Sequence, residues 1–169
     1  TLSNPLALNL YTLAYNDAQQ LVPLNTALKE NLRNYLSQFR MLTDAINIKT
    51  AYIVNIGAEV DIIPTPNSNS QEVILRVVNR LKELLSVERM QINGPINKAN
   101  IMSELDKVRG VQTVAGLTIT NLFNTLTGYS KYVYDLEGAT KNSIIYPSLD
   151  PMIFEVRYPN KDIKGRIVS

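Results

Sequence analysis

Residues 88–120 read E-R-M-Q-I-N-G-P-I-N-K-A-N-I-M-S-E-L-D-K-V-R-G-V-Q-T-V-A-G-L-T-I-T, and this stretch decides the fold. Asn97 stands where a helix N-cap belongs, Ile101, Leu105 and Val108 follow at helical spacing, and Gly110 sits where a helix stops in the left-handed conformation. Val111, Thr113, Val114, Leu117 and Ile119 then supply the β-branched and apolar content of a half-buried strand. A helix therefore feeds a strand through one glycine, with no room for a long loop. The unit is a packing device, and nothing in it is chemically reactive.

Upstream, Ser68 with Gln71, or Asn69 with Glu72, resembles a capping box. Val73, Ile74, Val77, Val78, Leu81, Leu84 and Leu85 mark the longest helix behind it, with Glu72 and Arg76 in the favourable i, i+4 order. Before that helix, Val54, Ile56, Ala58, Val60 and Ile62 alternate with Asn55, Gly57, Glu59 and Asp61, which predicts a strand over 51–63 with one buried and one wet face. Pro64 and the Asn/Ser run after it end the strand in a surface loop. Nearer the N-terminus, a strand is expected from Leu6 to Tyr15, then a turn at Asn16-Asp17. A helix capped by Asn25 follows, and Leu28, Leu32, Tyr35, Leu36 and Phe39 form one apolar stripe on it. That stripe must find a sheet or another helix.

Downstream, Asn124 to Tyr129 reads as a polar turn closed by Gly128, and Tyr132, Tyr134 and Leu136 suggest a short strand broken at 138–142 before Ile144-Ile145-Tyr146. Met152, Phe154, Val156 and Tyr158 alternate with Glu155 and Arg157. Pro159-Asn160 turns the chain, and Ile163 to Val168 is expected to return beside that strand as a hairpin. The expected fold class is α+β: a mixed β-sheet with about three helices packed on it, plus a β-rich C-terminal hairpin region. The expected division is a core domain over 1–121 with 122–169 packed on it, or a single domain over 1–169.

Composition narrows the chemistry. The 169 residues are enough for a substantial core, and 45% hydrophobic with 19% charged content is globular rather than disordered. No apolar run approaches the roughly 20 residues of a membrane helix, so a soluble chain without membrane contact is expected. The first residue is Thr1 and no basic-then-apolar leader follows, which reads as a fragment or processed chain without a signal peptide. Cys and His are both absent. Disulfides, thiolate chemistry, the commonest general base and the best zinc ligands go with them, so no enzyme, no metal and no cofactor is expected. A net charge of +2 lacks the strong basic excess of a dedicated nucleic-acid binder.

Five constellations have both a functional and a plain structural reading. Glu59 and Asp61 project from one strand face and could bind a metal or transfer protons, but alternation already explains them as a solvated face. Arg76, Arg80, Lys82, Lys98, Lys107 and Arg109 could form a phosphate-binding patch, yet Glu72, Glu83, Glu104 and Asp106 are interleaved with them. Tyr11, Tyr15 and Tyr52 could stack bases as an RNA-recognition sheet does, although strand tyrosines are more often core edge or interface. Asn93-Gly94-Pro95 lacks the further glycines and Lys-Ser/Thr of a phosphate loop and is a turn. Finally, Tyr129, Tyr132, Tyr134, Tyr146, Phe154 and Tyr158 gather more aromatic surface than a small region hides, which makes them a candidate protein interface or, equally, a core.

Several long stretches carry a resemblance. The order helix, Asn93-Gly94-Pro95-Ile96, short helix, Arg109-Gly110-Val111-Gln112-Thr113-Val114 resembles the C-terminal part of the baseplate-J-like family, the wedge proteins of contractile-tailed bacteriophages (myoviruses). The stretches L-S-Q-F-R-M-L-T-D-A-I-N-I (36–48), K-N-S-I-I-Y-P-S-L-D-P (141–151) and F-E-V-R-Y-P-N-K-D-I-K-G (154–165) are similar to the same baseplate wedge proteins. The resemblance implies a structural virion protein of the tail baseplate, assembled in the host cytoplasm. It also implies paired copies within a wedge, joined to neighbouring wedges in a ring around the tail hub. Its implied partners are itself, as a homodimer or through ring contacts, and other baseplate wedge proteins, with no small-molecule substrate. The family's long N-terminal region has no counterpart here, so its contacts fall on no residue of this sequence. The alternative reading is an α+β nucleic-acid-binding module.

Overall fold

The computed structural model describes residues 7–39 and 45–169; Leu6 and residues 40–44 of the 36–48 stretch lie outside the described residues. The chain is α+β and divides into two compact units, Thr1–Ala51 and Tyr52–Ser169. The division falls ahead of the long strand rather than near residue 121, because the strands after residue 150 join the same sheet as that strand.

In the first unit, β1 (Leu8–Thr12) is followed by β2 (Ala14–Tyr15), β3 (Leu21–Val22), helix α1 (Thr26–Ser37) and β4 (Ile46–Thr50). β1 and β4 pair in parallel, while β2 and β3 form an antiparallel hairpin. Asn16 makes the turn of that hairpin: its Oδ1 accepts the N–H of Ala18 at 3.0 Å and of Gln20 at 2.9 Å. Asn25 caps α1 by accepting the Leu28 N–H at 2.8 Å. The expected burial of the α1 stripe does not occur among the described residues. No α1 residue is buried, and Leu28, Tyr35 and Phe39 are exposed.

The second unit runs β5 (Tyr52–Pro64), α2 (Ser70–Leu84), β6 (Ile96–Asn97), α3 (Lys98–Asp106), β7 (Val111–Leu122), β8 (Thr140–Lys141), β9 (Ile144–Ile145), β10 (Met152–Glu155), α4 (Pro159–Asp162) and β11 (Ile163–Ile167). β5 is the centre of a four-stranded mixed sheet. β7 lies antiparallel along one edge, and Asn55 pairs with Leu122 on that side and Glu155 on the other. β10 and β11 are both parallel to β5, at 52–55 and 58–62, and so lie end to end along its second edge. The expected hairpin between them is not formed. Residues 156–162 leave the edge through the single turn of α4 and return in the same direction. Gly57 leaves room for that excursion, since a Cβ there would stand 3.2 Å from the Asp162 carbonyl oxygen. A hairpin does occur in the C-terminal region at β8–β9, where Asn142 (φ 50°) and Ser143 (φ 62°) form a two-residue turn of the type that matches strand twist.

The even-numbered face of β5 is the core. Val54, Ile56, Ala58, Val60 and Ile62 meet Val73, Val77, Leu81 and Leu85 from the α2 segment and Ile101 and Leu105 from α3. Each such Val, Ile or Leu side chain contributes roughly 1.5–3 kcal/mol on burial. Asn69 caps α2 through the N–H groups of Gln71 and Glu72, and Asn97 caps α3 through Asn100. On β7, Val111, Val114 and Leu117 are buried at a spacing of three rather than two. The register with β5 slips by one residue at two places, leaving Gln112 and Ala115 as bulges, which turns the alternation into that spacing.

The odd-numbered face of β5 is only partly wet. Glu59 and Asp61 are half-exposed, but Asn55 and Gly57 are buried. Ser130 donates its N–H to Asn55 Oδ1 at 2.6 Å, and α4 lies against Gly57, so two connecting segments cover that end. The short strand expected at Tyr132–Leu136 is absent too. Side chains hold that backbone instead: the Tyr132 N–H donates to Ser130 Oγ at 3.0 Å and the Tyr134 N–H to Asn121 Oδ1 at 2.8 Å.

Candidate functional site

The six aromatics expected at an interface separate into two groups with different jobs. Tyr129 is buried, and its hydroxyl donates to Asp162 Oδ1 at 2.6 Å while Asp162 Oδ2 accepts the Tyr158 N–H at 3.0 Å. The Tyr129 and Tyr158 rings meet edge to face at 5.5 Å, and the Lys161 ammonium stands over both. These residues lock α4 to the segment after β7. They are internal structure, and the pairing of residues 33 apart in sequence leaves no local signal for Asp162.

Burial and the neighbouring Asp162 carboxylate raise the Tyr129 phenol well above the ordinary tyrosine range, and burial raises Tyr134 too. An unfolded tyrosine titrates near about 10. A raised folded pKa means that the proton is held more tightly in the fold, so this stabilisation is complete below about pH 10 and is lost as pH rises through the folded value. Stability is therefore expected to fall in alkali, and Tyr129→Phe to flatten that fall. Denaturant titrations at pH 8 and above test it, and an unchanged alkaline slope in the variant would refute the assignment.

The second group surrounds a groove of about 310 Å³ lined by Tyr52, Val54, Tyr132, Val133, Tyr134 and Met152 with Ser148 and Asp150. Tyr52 and Tyr132 meet edge to face at 4.8 Å. Tyr134 packs on Phe154 at 5.8 Å and donates its hydroxyl to the Tyr146 carbonyl at 2.6 Å, fixing the loop that carries Leu149. Phe154 itself is 1% exposed and belongs to the core, contrary to its place among interface candidates. Tyr132 and Tyr146 are exposed, and beside them Val133 is 68% exposed and Leu149 fully so. Val133 and Leu149 are missed by a reading that looks for aromatic residues, and Tyr52 by one confined to the C-terminal region.

Several members of the charged constellations pair with one another. Arg166 on β11 makes a two-pronged bond to Asp61 at 2.8 and 2.9 Å and reaches Glu59 at 3.6 Å. The Arg166 bond holds the Asp61 carboxyl below its ordinary range, so that carboxylate serves as the partner of a strand-to-strand ion pair. No group of three or more His, Cys, Asp or Glu among the described residues is placed to hold a metal. Arg76 pairs with Glu72, and Arg80 bridges Glu83 at 2.9 Å and Glu104 at 3.0 Å, which makes the helix surface mixed in sign. Tyr11, Tyr15 and Tyr52 lie in three different sheets. Among the described residues no helix is long and apolar enough to cross a membrane. A scan against protein-family models finds no match to this chain, and a search of curated proteins likewise finds none.

Proposed function

We propose that the chain is a structural part of a contractile-tail baseplate wedge, working through protein–protein contact without catalysis. The groove lined by Tyr52, Tyr132, Val133 and Tyr134, with the exposed Tyr146 and Leu149 on the loop that supplies Ser148 and Asp150 to it, is then one contact surface for a neighbouring wedge subunit. The resemblance of residues 88–120, 36–48, 141–151 and 154–165 points to the assembly. The observation that carries the contact surface is the gathering of exposed apolar and tyrosine side chains around one groove. Such patches mark interaction sites, and tyrosine suits them by offering rigid area with a polar end.

Tyr132→Ala combined with Leu149→Ser tests it. Both side chains stand at the surface, so the thermal transition should stay cooperative and stability change by no more than about 1 kcal/mol. Binding to the neighbouring wedge protein in a reconstituted wedge is expected to weaken by roughly tenfold or more, as for loss of an anchor residue. Undiminished wedge assembly by the folded double variant would overturn this surface. Salt-dependent retention on immobilised single-stranded DNA would instead favour the nucleic-acid reading.

A further inference from the structure

Backbone parity identifies an open edge on β7. Val168 donates its N–H to the Ile62 carbonyl, so the even-numbered residues of β5 turn their N–H and C=O groups toward β11. Gly57, Glu59 and Asp61 consequently bond across to Thr120, Thr118 and Gly116 on β7. Leu117 and Ile119, between those partners, direct their N–H and C=O groups away from the sheet. Upstream the edge is closed, because Asp106 Oδ1 takes the Val114 N–H at 2.7 Å and both bulges fall there. Downstream, no backbone group of Leu117 or Ile119 has an outward partner within the second unit among the described residues. Proteins usually blunt such an edge with charge, proline or a bulge. Residues 116–122, G-L-T-I-T-N-L, contain no charge and no proline.

We propose that this edge pairs with the same edge of a second copy, β7 against β7, antiparallel about a twofold axis at Thr118. A symmetric pairing sets a segment against itself, which a charged edge would forbid and this uncharged one permits. In that register Leu117 exchanges both backbone hydrogen bonds with Ile119 of the second copy. Their side chains extend the apolar face of the sheet across the axis, and the two Thr118 residues stand directly opposite as a β-branched pair. The pairing rests on the wedge reading, which implies paired copies, and assigns that contact to a strand edge on a different surface from the aromatic groove.

The chain has no cysteine, so Thr118→Cys introduces a single thiol. Directly opposed residues of the non-hydrogen-bonded kind have Cα atoms about 4.5 Å apart, within disulfide range. Oxidised glutathione is expected to convert Thr118→Cys rapidly to a disulfide-linked dimer. Gln112→Cys, exposed on the same strand but outside the pairing, should link more slowly. Thr118→Lys, also at an exposed position, should keep the melting transition while weakening self-association at least tenfold. The proposal falls if Thr118→Cys links no faster than Gln112→Cys, or if folded Thr118→Lys associates as the parent does; the cysteine comparison decides alone should the lysine variant not fold. Tyr132→Ala with Leu149→Ser should leave the Thr118→Cys dimer intact, so failure of the wedge surface and failure of the edge pairing are separable.

Discussion

Gly110→Val is expected to lower the unfolding free energy by about 2–5 kcal/mol, combining positive-φ strain with overpacking. Gly110 has φ +94°, and a Cβ there would stand 2.6 Å from Val73 Cγ2. Val73 is a fully buried α2 residue, so it has little room to yield. The backbone cannot easily shift either, because the Gly110 carbonyl accepts the Thr65 N–H at 2.9 Å and ties the start of β7 to the end of β5. The denaturant midpoint should drop with an unchanged slope. Gly110→Ala isolates the share of the branched carbons, since it retains the strain and the first contact without them. A midpoint equal to the parent's in Gly110→Val would remove Gly110 from its place as the helix-to-strand hinge.

Phe154→Ala should cost about 3–5 kcal/mol, as expected for deleting a buried ring in a core that relaxes only partly. Phe154 is among the largest fully buried side chains, on the strand that continues the second edge of β5, and Tyr134 packs on its ring. The comparison with Tyr132→Ala is informative, because alternation in sequence places both among the same candidate aromatics. Loss of cooperative unfolding in Phe154→Ala, with near-parental unfolding in Tyr132→Ala, would establish the split between core and surface. Similar small effects from both would contradict the burial assigned to Phe154.

What could be read from sequence was local. The Asn25 and Asn97 caps and the even-numbered face of β5 follow from short-range chemistry and stand where spacing put them, and Asn69 is the one of two possible cap pairings that forms. Gly110 is left-handed as expected, but α3 ends at Asp106 with Lys107 as its C-cap, so the glycine opens β7 rather than stopping the helix. Contacts between distant segments were not legible in the same way. The alternation of 152–158 and the turn at Pro159-Asn160 look like one arm of a hairpin, because nothing nearby reveals that β5 is the partner of both arms. Asn55 and Gly57 read as wet for the same reason, since the segments that cover them come from Ser130 and Asp162. Val111, Val114 and Leu117 could be read as strand residues, but their burial at a spacing of three comes from two register slips against β5. The candidate site had the same fate. Tyrosine content marked the 129–158 region as a candidate, while exposure, set by tertiary packing, separated Tyr132 and Tyr146 from Tyr129 and Phe154 and added Val133 and Leu149.

The central claim is that the chain works by binding protein, and its mass in solution across a range of concentrations, without nucleic acid, tests that most directly. The account predicts a mass that rises from 19.0 kDa toward twice that value with concentration and is unaffected by added single-stranded DNA. A mass that stays at 19.0 kDa at every concentration, together with salt-dependent binding to single-stranded DNA, would contradict it.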